Sequence, residues 1–314
     1  MNKKLKIIFA GTPEFAVPAL KALIKNHDLL AVISGADKPQ GRGRKITPSP
    51  IKITALKHNL KIFDAPINQL STEIKKLHPD FLIAAAYGQI ISKEILDLPR
   101  CGAINLHPSL LPKYRGPSPI QASILNGDAE TGASIIKMTV NLDAGPIIAQ
   151  SKIKIAADET AGSLHDKLAR LGAELLLKAI KLYKYKTLKL KPQDGSLATY
   201  TKKITAANTQ LDPLQPAQTL ERQIRAYNPW PGAWLKFSIF NFQFSNFNRL
   251  KVLKAMVQKN SQPLKSVKSI QSLIIYQNQP AVICGDGKLL ILTEVQPEGK
   301  KRMNGEEFAR GYLR

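Results

Sequence analysis

The chain has 314 residues, 44% of them hydrophobic, and its 46 basic and 23 acidic residues give a formal net charge of +23. This length exceeds what one hydrophobic core usually organises, so we expect two domains, and the apolar fraction is that of a globular protein. No run approaches about 18 apolar residues, which excludes a membrane-spanning helix. The charge favours a polyanionic partner, nucleic acid first, and the alternative is a proteome with a general basic bias.

The cysteine content indicates a reducing compartment. Only Cys101 and Cys284 are present, and they lie far apart in the sequence. Neither Cys-x-x-Cys nor His-x-x-x-His spacing occurs, so the sequence predicts no zinc site. The N-terminal apolar segment is interrupted by Gly11 and Pro13 and is too short for a signal peptide. We therefore expect a cytoplasmic protein without a metal.

Short apolar runs alternate with helical patterns over the first part of the chain. Residues 6–10, 29–33 and 81–86 have the composition of strands that are apolar throughout. Residues 15–24 and 70–77 carry apolar residues at helical spacing. Strands that are apolar on both faces are typical of a parallel sheet covered by helices. The sequence therefore predicts an α/β fold with a Rossmann-type, doubly wound, mostly parallel sheet.

The segments that follow these strands are candidates for a binding pocket, because ligands of doubly wound sheets bind beyond the carboxyl ends of the strands. The first segment, Gly11-Thr12-Pro13-Glu14, is not a Gly-x-Gly-x-x-Gly fingerprint, so a dinucleotide cofactor is not expected. Tyr87 and Gly88 follow the strand at residues 81–86 and are candidate pocket residues. An ordinary strand-ending turn is the alternative for these two.

A basic segment lies between the second strand and the next helix, at residues 37–48. Its sequence, Asp37-Lys38-Pro39-Gln40-Gly41-Arg42-Gly43-Arg44-Lys45-Ile46-Thr47-Pro48, contains four cations and little that could pack. Glycines beside arginines give an exposed arm that can mould to phosphates, and each arginine can grip a phosphate in a bidentate way. A solvated surface loop is the alternative.

Three polar residues follow later apolar segments and form a candidate catalytic set. Asn105 and His107 lie in Ile104-Asn105-Leu106-His107-Pro108-Ser109-Leu110-Leu111-Pro112, and Asp143 lies in Asn141-Leu142-Asp143-Ala144-Gly145. An amide can hold a developing oxyanion, an imidazole can orient or shuttle a proton, and a carboxylate can fix the imidazole or accept the proton. These are the roles needed to move an acyl group onto an amine. A structural histidine and a simple hairpin turn are the alternatives.

The last third of the chain has a different composition. A long amphipathic helix is predicted over residues 161–184 and is followed by a basic, proline-containing linker. Short β-rich runs follow, at residues 233–239, 250–257, 273–276 and 289–293, with a tight turn at Gly285-Asp286-Gly287. We expect a catalytic domain over residues 1–189, a linker over residues 190–207 and an OB-like β-barrel domain over residues 208–314.

The string from Asn105 to Pro112 resembles the folate-dependent formyltransferases, which carry Asn-x-His-x-Ser-Leu-Leu-Pro at the end of a parallel strand. The match assigns the family's catalytic residues to Asn105, His107 and Asp143. It implies 10-formyltetrahydrofolate as co-substrate, without a metal. The residues that the resemblance assigns to the folate pocket are Ser109, Leu110, Leu111, Pro112, Tyr87 and Gly88.

Further segments resemble the branch of this family that formylates the α-amine of methionine on initiator tRNA. One is the sequence from Arg225 to Trp234, Arg-Ala-Tyr-Asn-Pro-Trp-Pro-Gly-Ala-Trp, and another is the basic turn from Pro297 to Met303. Ser34-Gly35-Ala36 departs from the family's Thr-Gln-Pro, which puts the anchoring of the basic loop in doubt. The resemblance implies a tRNA-binding second domain, and we expect a monomer because one tRNA engages both domains. The residues that it assigns to tRNA are Arg42, Arg44, Lys45, Lys300, Lys301 and Arg302.

Three other functions compete with this interpretation. A formyltransferase acting on glycinamide ribonucleotide shares the three catalytic residues but lacks a basic β-rich second domain. A sugar-nucleotide formyltransferase has an additional domain but does not explain the basic loop at residues 37–48 or the net charge of +23. An RNA-binding protein on an inactive enzyme scaffold does not explain the complete catalytic set.

Overall fold

A computed structural model describes residues 4–40, 45–184, 187, 189–236, 249–258 and 273–313. The chain forms two compact units. The first comprises Met1–Pro119, Glu130–Lys154 and His165–Lys202, and the second comprises Ile120–Ala129, Ile155–Leu164 and Lys203–Arg314. The predicted domain limits at residues 189 and 208 remain a prediction.

The first unit is built on a seven-stranded sheet. In chain order, the strands before the second unit are β1 (Lys6–Gly11), β2 (Asp28–Ile33), β3 (Lys38–Gln40), β4 (Lys45–Thr47), β5 (Ile62–Phe63), β6 (Phe81–Ala85), β7 (Ala103–His107), β8 (Glu130–Lys137) and β9 (Ile147–Lys154). The order in the sheet is β5-β2-β1-β6-β7-β8-β9, and β3 and β4 form a separate ladder. The strands β5, β2, β1, β6 and β7 pair with their neighbours in parallel. Strand β8 pairs antiparallel with both β7 and β9.

Helices alternate with these strands, as the apolar spacing predicts. Their bounds are α1 (Val17–Asn26), α2 (Pro50–Lys57), α3 (Ser71–Leu77), α4 (Lys93–Asp97), α5 (Pro119–Leu125) and α6 (Ala161–Lys184). Short 3-10 helices span Glu14–Ala16, Ile67–Gln69, Gly195–Leu197 and Ala206–Thr209. The predicted helix at residues 15–24 is thus a 3-10 turn followed by α1, which begins at Val17 with proline in its first turn.

Helix α6 packs on β7, which carries Asn105 and His107, and on the neighbouring strand β6. The ring of Tyr183 lies 4.9 Å from that of Phe81 in β6, measured between centroids. Gly172 lies so close to Leu106 in β7 that an added Cβ would come within 2.6 Å of its side chain. Contact with α6 therefore fixes the buried face of β7 at Leu106. The carboxyl end of β7 remains available to form a site.

The second unit contains an antiparallel sheet and two further helices. The elements are α7 (Ala217–Ala226), β10 (Ala233–Lys236), β11 (Arg249–Val257), β12 (Leu273–Tyr276), β13 (Gln279–Ile283), β14 (Leu289–Pro297), β15 (Met303–Asn304) and α8 (Gly305–Tyr312). The strand order is β10-β11-β14-β13-β12, and β15 pairs with β14. A tight turn joins β13 to β14, because the Gly287 amide donates to the Cys284 carbonyl at 2.8 Å.

The predicted fold class is confirmed, as a mostly parallel α/β sheet and an antiparallel second domain. Some details differ from the sequence prediction. The basic segment predicted as a loop contains the two short paired strands β3 and β4. Strand β13 was not predicted, because Pro280 near its start cannot donate to a ladder and weakens the strand pattern. The run at residues 233–239 is a strand only to Lys236, and residues 237–239 lie outside the described part of the chain.

Candidate active site

The side chains of Asn105, His107 and Asp143 meet at the carboxyl end of β7. Asn105 and His107 point to the same face of the sheet because they are two residues apart on one strand. Asp143 lies in the connection between β8 and β9 with a φ of 50°, in the left-handed region. Asn105 Nδ2 donates to Asp143 Oδ1 at 3.3 Å, and His107 Nδ1 lies 3.6 Å from Asp143 Oδ2.

The hydrogen bonds of His107 assign a proton to one ring nitrogen. Its Nε2 lies 2.9 Å from the carbonyl oxygen of Tyr114, which can only accept, so Nε2 carries a hydrogen. Its Nδ1 faces the carboxylate of Asp143, and the two side chains are only 5% and 9% exposed. The two groups therefore face each other in a part of the site that is shielded from water.

The carboxylate of Asp143 is held on both oxygens. Oδ1 accepts from Asn105, and Oδ2 accepts from the Gly116 amide at 2.9 Å. An amide NH2 has two hydrogens, and one of those on Asn105 points to Asp143. This arrangement fixes the orientation of the Asn105 amide, with its nitrogen on the side of the carboxylate.

The turn from Ser109 to Pro112 is held by two residues that the sequence did not single out. Ser134 Oγ donates to the Ser109 carbonyl at 2.6 Å and accepts from the Leu111 amide at 3.1 Å. Gln150 Nε2 donates to the Leu111 carbonyl at 2.9 Å and to Ser134 Oγ at 2.8 Å. Leu110 is partly exposed in this turn, whereas Ser109 and Leu111 are buried. The backbone of the turn is therefore set by β8 and β9.

Tyr87 and Gly88 lie in the turn that follows β6, the strand next to β7. The Tyr87 ring is buried, and this burial raises the pKa of its hydroxyl above the usual value. Gly88 is exposed with a φ of 77°, and a Cβ added there would meet nothing within 4 Å. Both residues thus lie at the same edge of the sheet as the candidate catalytic set. The Tyr87 side chain belongs to a buried hydrophobic cluster, and only Gly88 borders open space.

The basic loop is anchored at its base, and two of its four cations, Lys38 and Lys45, lie in the short strands β3 and β4. Arg42 and Arg44 lie outside the described residues, and Lys45 is placed only as the first residue of β4. The hydroxyls of Ser34 and Ser49 share a buried hydrogen bond of 2.6 Å. The Gly35 amide donates to Thr12 Oγ1 at 3.2 Å. Ser34 and Gly35, which depart from the family pattern, are therefore anchored by hydrogen bonds of their own.

The second basic candidate, from Lys300 to Arg302, lies after β14 in the second unit. All three side chains are exposed, and Arg302 forms an ion pair with Glu294. Lys300 accepts a hydrogen bond on its backbone carbonyl from Gln296 Nε2 at 3.0 Å. This turn therefore has a defined backbone and presents two lysines to solvent.

The described residues offer neither a metal site nor a membrane-spanning helix. They contain no group of three or more His, Cys, Asp or Glu side chains that could hold a metal ion. They also contain no helix that is both long and apolar enough to cross a membrane.

The first unit places an amide, an imidazole and a carboxylate close together beyond one strand end of a doubly wound sheet. This arrangement is suited to acyl transfer, and comparison of the sequence with family models defines the class of protein. A family model described as formyl transferase matches residues 3–180, and one described as the formyl transferase C-terminal domain matches residues 203–313. An N-formyltransferase from Helicobacter canadensis, solved with folinic acid and dTDP-3-aminofucose, has a TM-score of 0.67 to this chain. It covers 93% of this chain and 99% of its own at 21% identity, which supports the fold alone.

Full-length relatives narrow the class. A methionyl-tRNA formyltransferase of Symbiobacterium thermophilum is 40% identical over 311 residues, covering 98% of this chain and 92% of that protein. One of Moorella thermoacetica is 38% identical over 312 residues, covering 98% and 96%. The chain belongs to the methionyl-tRNA formyltransferase family.

Proposed function

We propose that this chain transfers the formyl group of 10-formyltetrahydrofolate to the α-amine of methionyl-tRNA(fMet), giving the N-formylmethionyl-tRNA that initiates translation. The observation that carries the proposal is similarity over nearly the whole chain, including the second domain, to relatives of that name. A fold-level likeness to a sugar N-formyltransferase does not extend to the acceptor, because it is 21% identical.

The catalytic roles follow from the chemistry of Asn105, His107 and Asp143. The neutral amine attacks the formyl carbon, a C–N bond forms, and the π electrons of the carbonyl move to its oxygen. Asn105 and His107 stabilise that oxyanion, and Asp143 takes the amine proton directly or through water. Collapse breaks the bond from the carbon to the folate nitrogen, and Asp143 returns the proton that it took from the amine to this leaving nitrogen, directly or through water. The contact of Asp143 with both other side chains supports this assignment.

The folate co-substrate is assigned to the edge beside the catalytic set. We place its flat ring against the turns that contain Tyr87 and Gly88 and Ser109 to Pro112. The open space around Gly88 and the rigid backbone of the second turn support this placement. A turn with a fixed backbone can present amide and carbonyl groups to the ring edge without an ordering cost.

Two basic regions are assigned to the tRNA. Arg42, Arg44 and Lys45 would contact the acceptor end, and Lys300, Lys301 and Arg302 would contact the backbone elsewhere. The exposure of the latter three side chains and the net charge of +23 support this assignment. The Glu294 partner of Arg302 lowers its net attraction for phosphate, so the two lysines carry most of the contribution.

We further propose a monomer in the cytoplasm, with the catalytic domain at residues 1–189, a linker at 190–207 and the tRNA-binding domain at 208–314. One tRNA contacting both domains needs no second copy of the chain. Both cysteines are free thiols, as expected in a reducing compartment.

A single assay tests the proposed reaction. Methionine-charged initiator tRNA and 10-formyltetrahydrofolate are supplied to the purified chain, and formyl-methionine is followed with time. Elongator tRNA charged with methionine and a dTDP-linked amino sugar serve as alternative acceptors. We expect rapid formylation of the initiator tRNA alone. Formylation of the sugar nucleotide instead, or of neither substrate, would contradict the proposal.

A further inference from the structure

Residues 191–201 follow α6 and lie against the candidate active site within the first unit. We name them the bracing segment. They lie in the stretch that the sequence predicts as a linker, and after the end of the matched catalytic family model at residue 180. At the start of the segment, Lys191 and Ile147 exchange two backbone hydrogen bonds of 2.8 and 2.9 Å. The segment therefore pairs with the start of β9, just after the Asp143 loop.

The other end of the bracing segment holds the loop that contacts His107. The Arg115 amide donates to the Thr199 carbonyl at 2.8 Å, and the Thr201 amide donates to the Arg115 carbonyl at 2.8 Å. The Tyr114 amide donates to Thr199 Oγ1, also at 2.8 Å. Because the Tyr114 carbonyl accepts from His107, this pairing fixes the position of the imidazole.

Gln193, in the middle of the bracing segment, joins the two loops through one side chain. Its Nε2 donates to the carbonyls of Asp143 at 2.8 Å and Gly145 at 2.7 Å. Its Oε1 accepts from Arg115 Nε at 3.1 Å and Nη2 at 2.8 Å. The guanidinium of Arg115 is itself held by the Tyr200 hydroxyl at 3.2 Å. Each hydrogen-bonding group of the Gln193 amide is thus used within the site.

The Asp143 loop needs such support for a physical reason. Asp143 has a φ of 50°, a left-handed conformation that a residue with a Cβ adopts only when its surroundings hold it. The two hydrogen bonds from Gln193 hold the carbonyls of Asp143 and Gly145, the residues before and after Ala144. They therefore set where the Asp143 carboxylate stands relative to Asn105 and His107.

We propose that Gln193 is a positioning residue for formyl transfer, which acts through Asp143 and is itself oriented by Arg115. The inference rests on the proposed function and extends the site into residues that the sequence predicts as a linker. Gln193 contacts no reacting atom. Its removal should therefore lower the rate of the chemical step without weakening the binding of either substrate.

Two variants test this role. Gln193→Leu removes both halves of the amide, whereas Gln193→Glu keeps an acceptor for Arg115 and replaces the donor to the two carbonyls by an oxygen that repels them. A misplacement of about 1 Å costs on the order of 10²-fold in rate, so we expect kcat to fall by about 10- to 100-fold in both variants. The KM values for methionyl-tRNA and folate should stay within about twofold. Gln69→Leu, on an exposed turn of the same unit, is the matched control with wild-type kinetics.

The outcomes separate positioning from a merely structural role. If Gln193→Leu is poorly folded, Gln193→Glu decides, because its contact with Arg115 is kept. A wild-type kcat per folded molecule, or a rise in KM with kcat unchanged, would overturn the proposal. A wild-type enzyme that does not formylate methionyl-tRNA would instead overturn the proposed function, and the two failures are read from different samples.

A double variant tests whether Gln193 acts through Asp143. In an Asp143→Asn background, we expect the further loss of kcat caused by Gln193→Leu to be less than about threefold, since the group being positioned is already gone. Losses that multiply independently would show that Gln193 acts on something else and would overturn the proposal.

Discussion

At the scale of single residues, the site depends on which atoms face each other. Tyr114 can only accept from His107, so the hydrogen on Nε2 is fixed by the backbone and not by the catalytic partners. The remaining ring nitrogen faces one oxygen of Asp143 at 3.6 Å. This division of roles lets the same imidazole be anchored on one side and reactive on the other.

Replacement of Asn105 by alanine tests the oxyanion role. Loss of an oxyanion donor costs on the order of 10² to 10³ in kcat, so Asn105→Ala should be nearly inactive. It should still bind tRNA, because Asn105 lies at the strand end and not on the basic surface. Single-turnover formylation and a tRNA filter-binding assay measure the two quantities. A loss of only a few-fold would refute the role.

Replacement of Asp143 by asparagine should have a larger effect. An asparagine keeps the shape but cannot accept the amine proton. Both carboxylate oxygens of Asp143 accept a hydrogen bond, one from Asn105 and the other from the Gly116 amide. The NH2 of an asparagine at this position would therefore face a donor in either orientation of its amide. We therefore expect a greater fall in kcat than for Asn105→Ala, measured near neutral pH in the same assay. Turnover close to that of the wild type would argue against proton acceptance by Asp143.

At the scale of elements, the sheet brings the site together. Strands β6 and β7 are parallel and adjacent, so the turns after both lie at one edge. Strand β8 runs antiparallel to β7 and pairs Ser134 with His107, which brings Ser134 beneath the turn from Ser109 to Pro112. The antiparallel pair β8 and β9 therefore supplies both the support of the turn and, in its connection, Asp143.

The basic loop is the element on which tRNA selection is predicted to depend. Its base is fixed by the Ser34–Ser49 hydrogen bond, and Ser49 also caps α2 by accepting from the Lys52 amide. We expect Arg42→Ala to weaken the discrimination between initiator and elongator tRNAs, because a bidentate phosphate or base contact is lost. The ratio of kcat/KM for the two charged tRNAs measures this effect. Unchanged ratios would remove the loop from tRNA selection.

At the scale of the whole molecule, the charge predicts how affinity responds to salt. A chain with a net charge of +23 binds a polyanion largely through the release of counterions. Even two phosphate contacts should raise the KM for tRNA by about tenfold between about 50 and about 200 mM salt. The KM for folate should change far less and is the internal control. A KM for tRNA that is insensitive to salt would contradict phosphate contacts by the basic residues.

The sequence alone determined the fold class and the chemistry of this protein. Apolar runs buried on both faces require a covered parallel sheet, and a local string of residues identifies the end of β7. These features are local, since each depends on residues that are close neighbours in the chain. The pairing of Asn105 with Asp143, 38 residues apart, followed from the family resemblance and not from spacing.

Only the tertiary structure decided what holds the site. Ser134 and Gln150 fix the turn from Ser109 to Pro112 from neighbouring strands, and Gln193 reaches the Asp143 loop from 50 residues away. Glutamine and serine are common surface residues, so nothing in their local sequence marks them. Their roles arise because chain folding brings their amide and hydroxyl groups to backbone carbonyls and amides that would otherwise lack partners, and such pairings depend on distance in space.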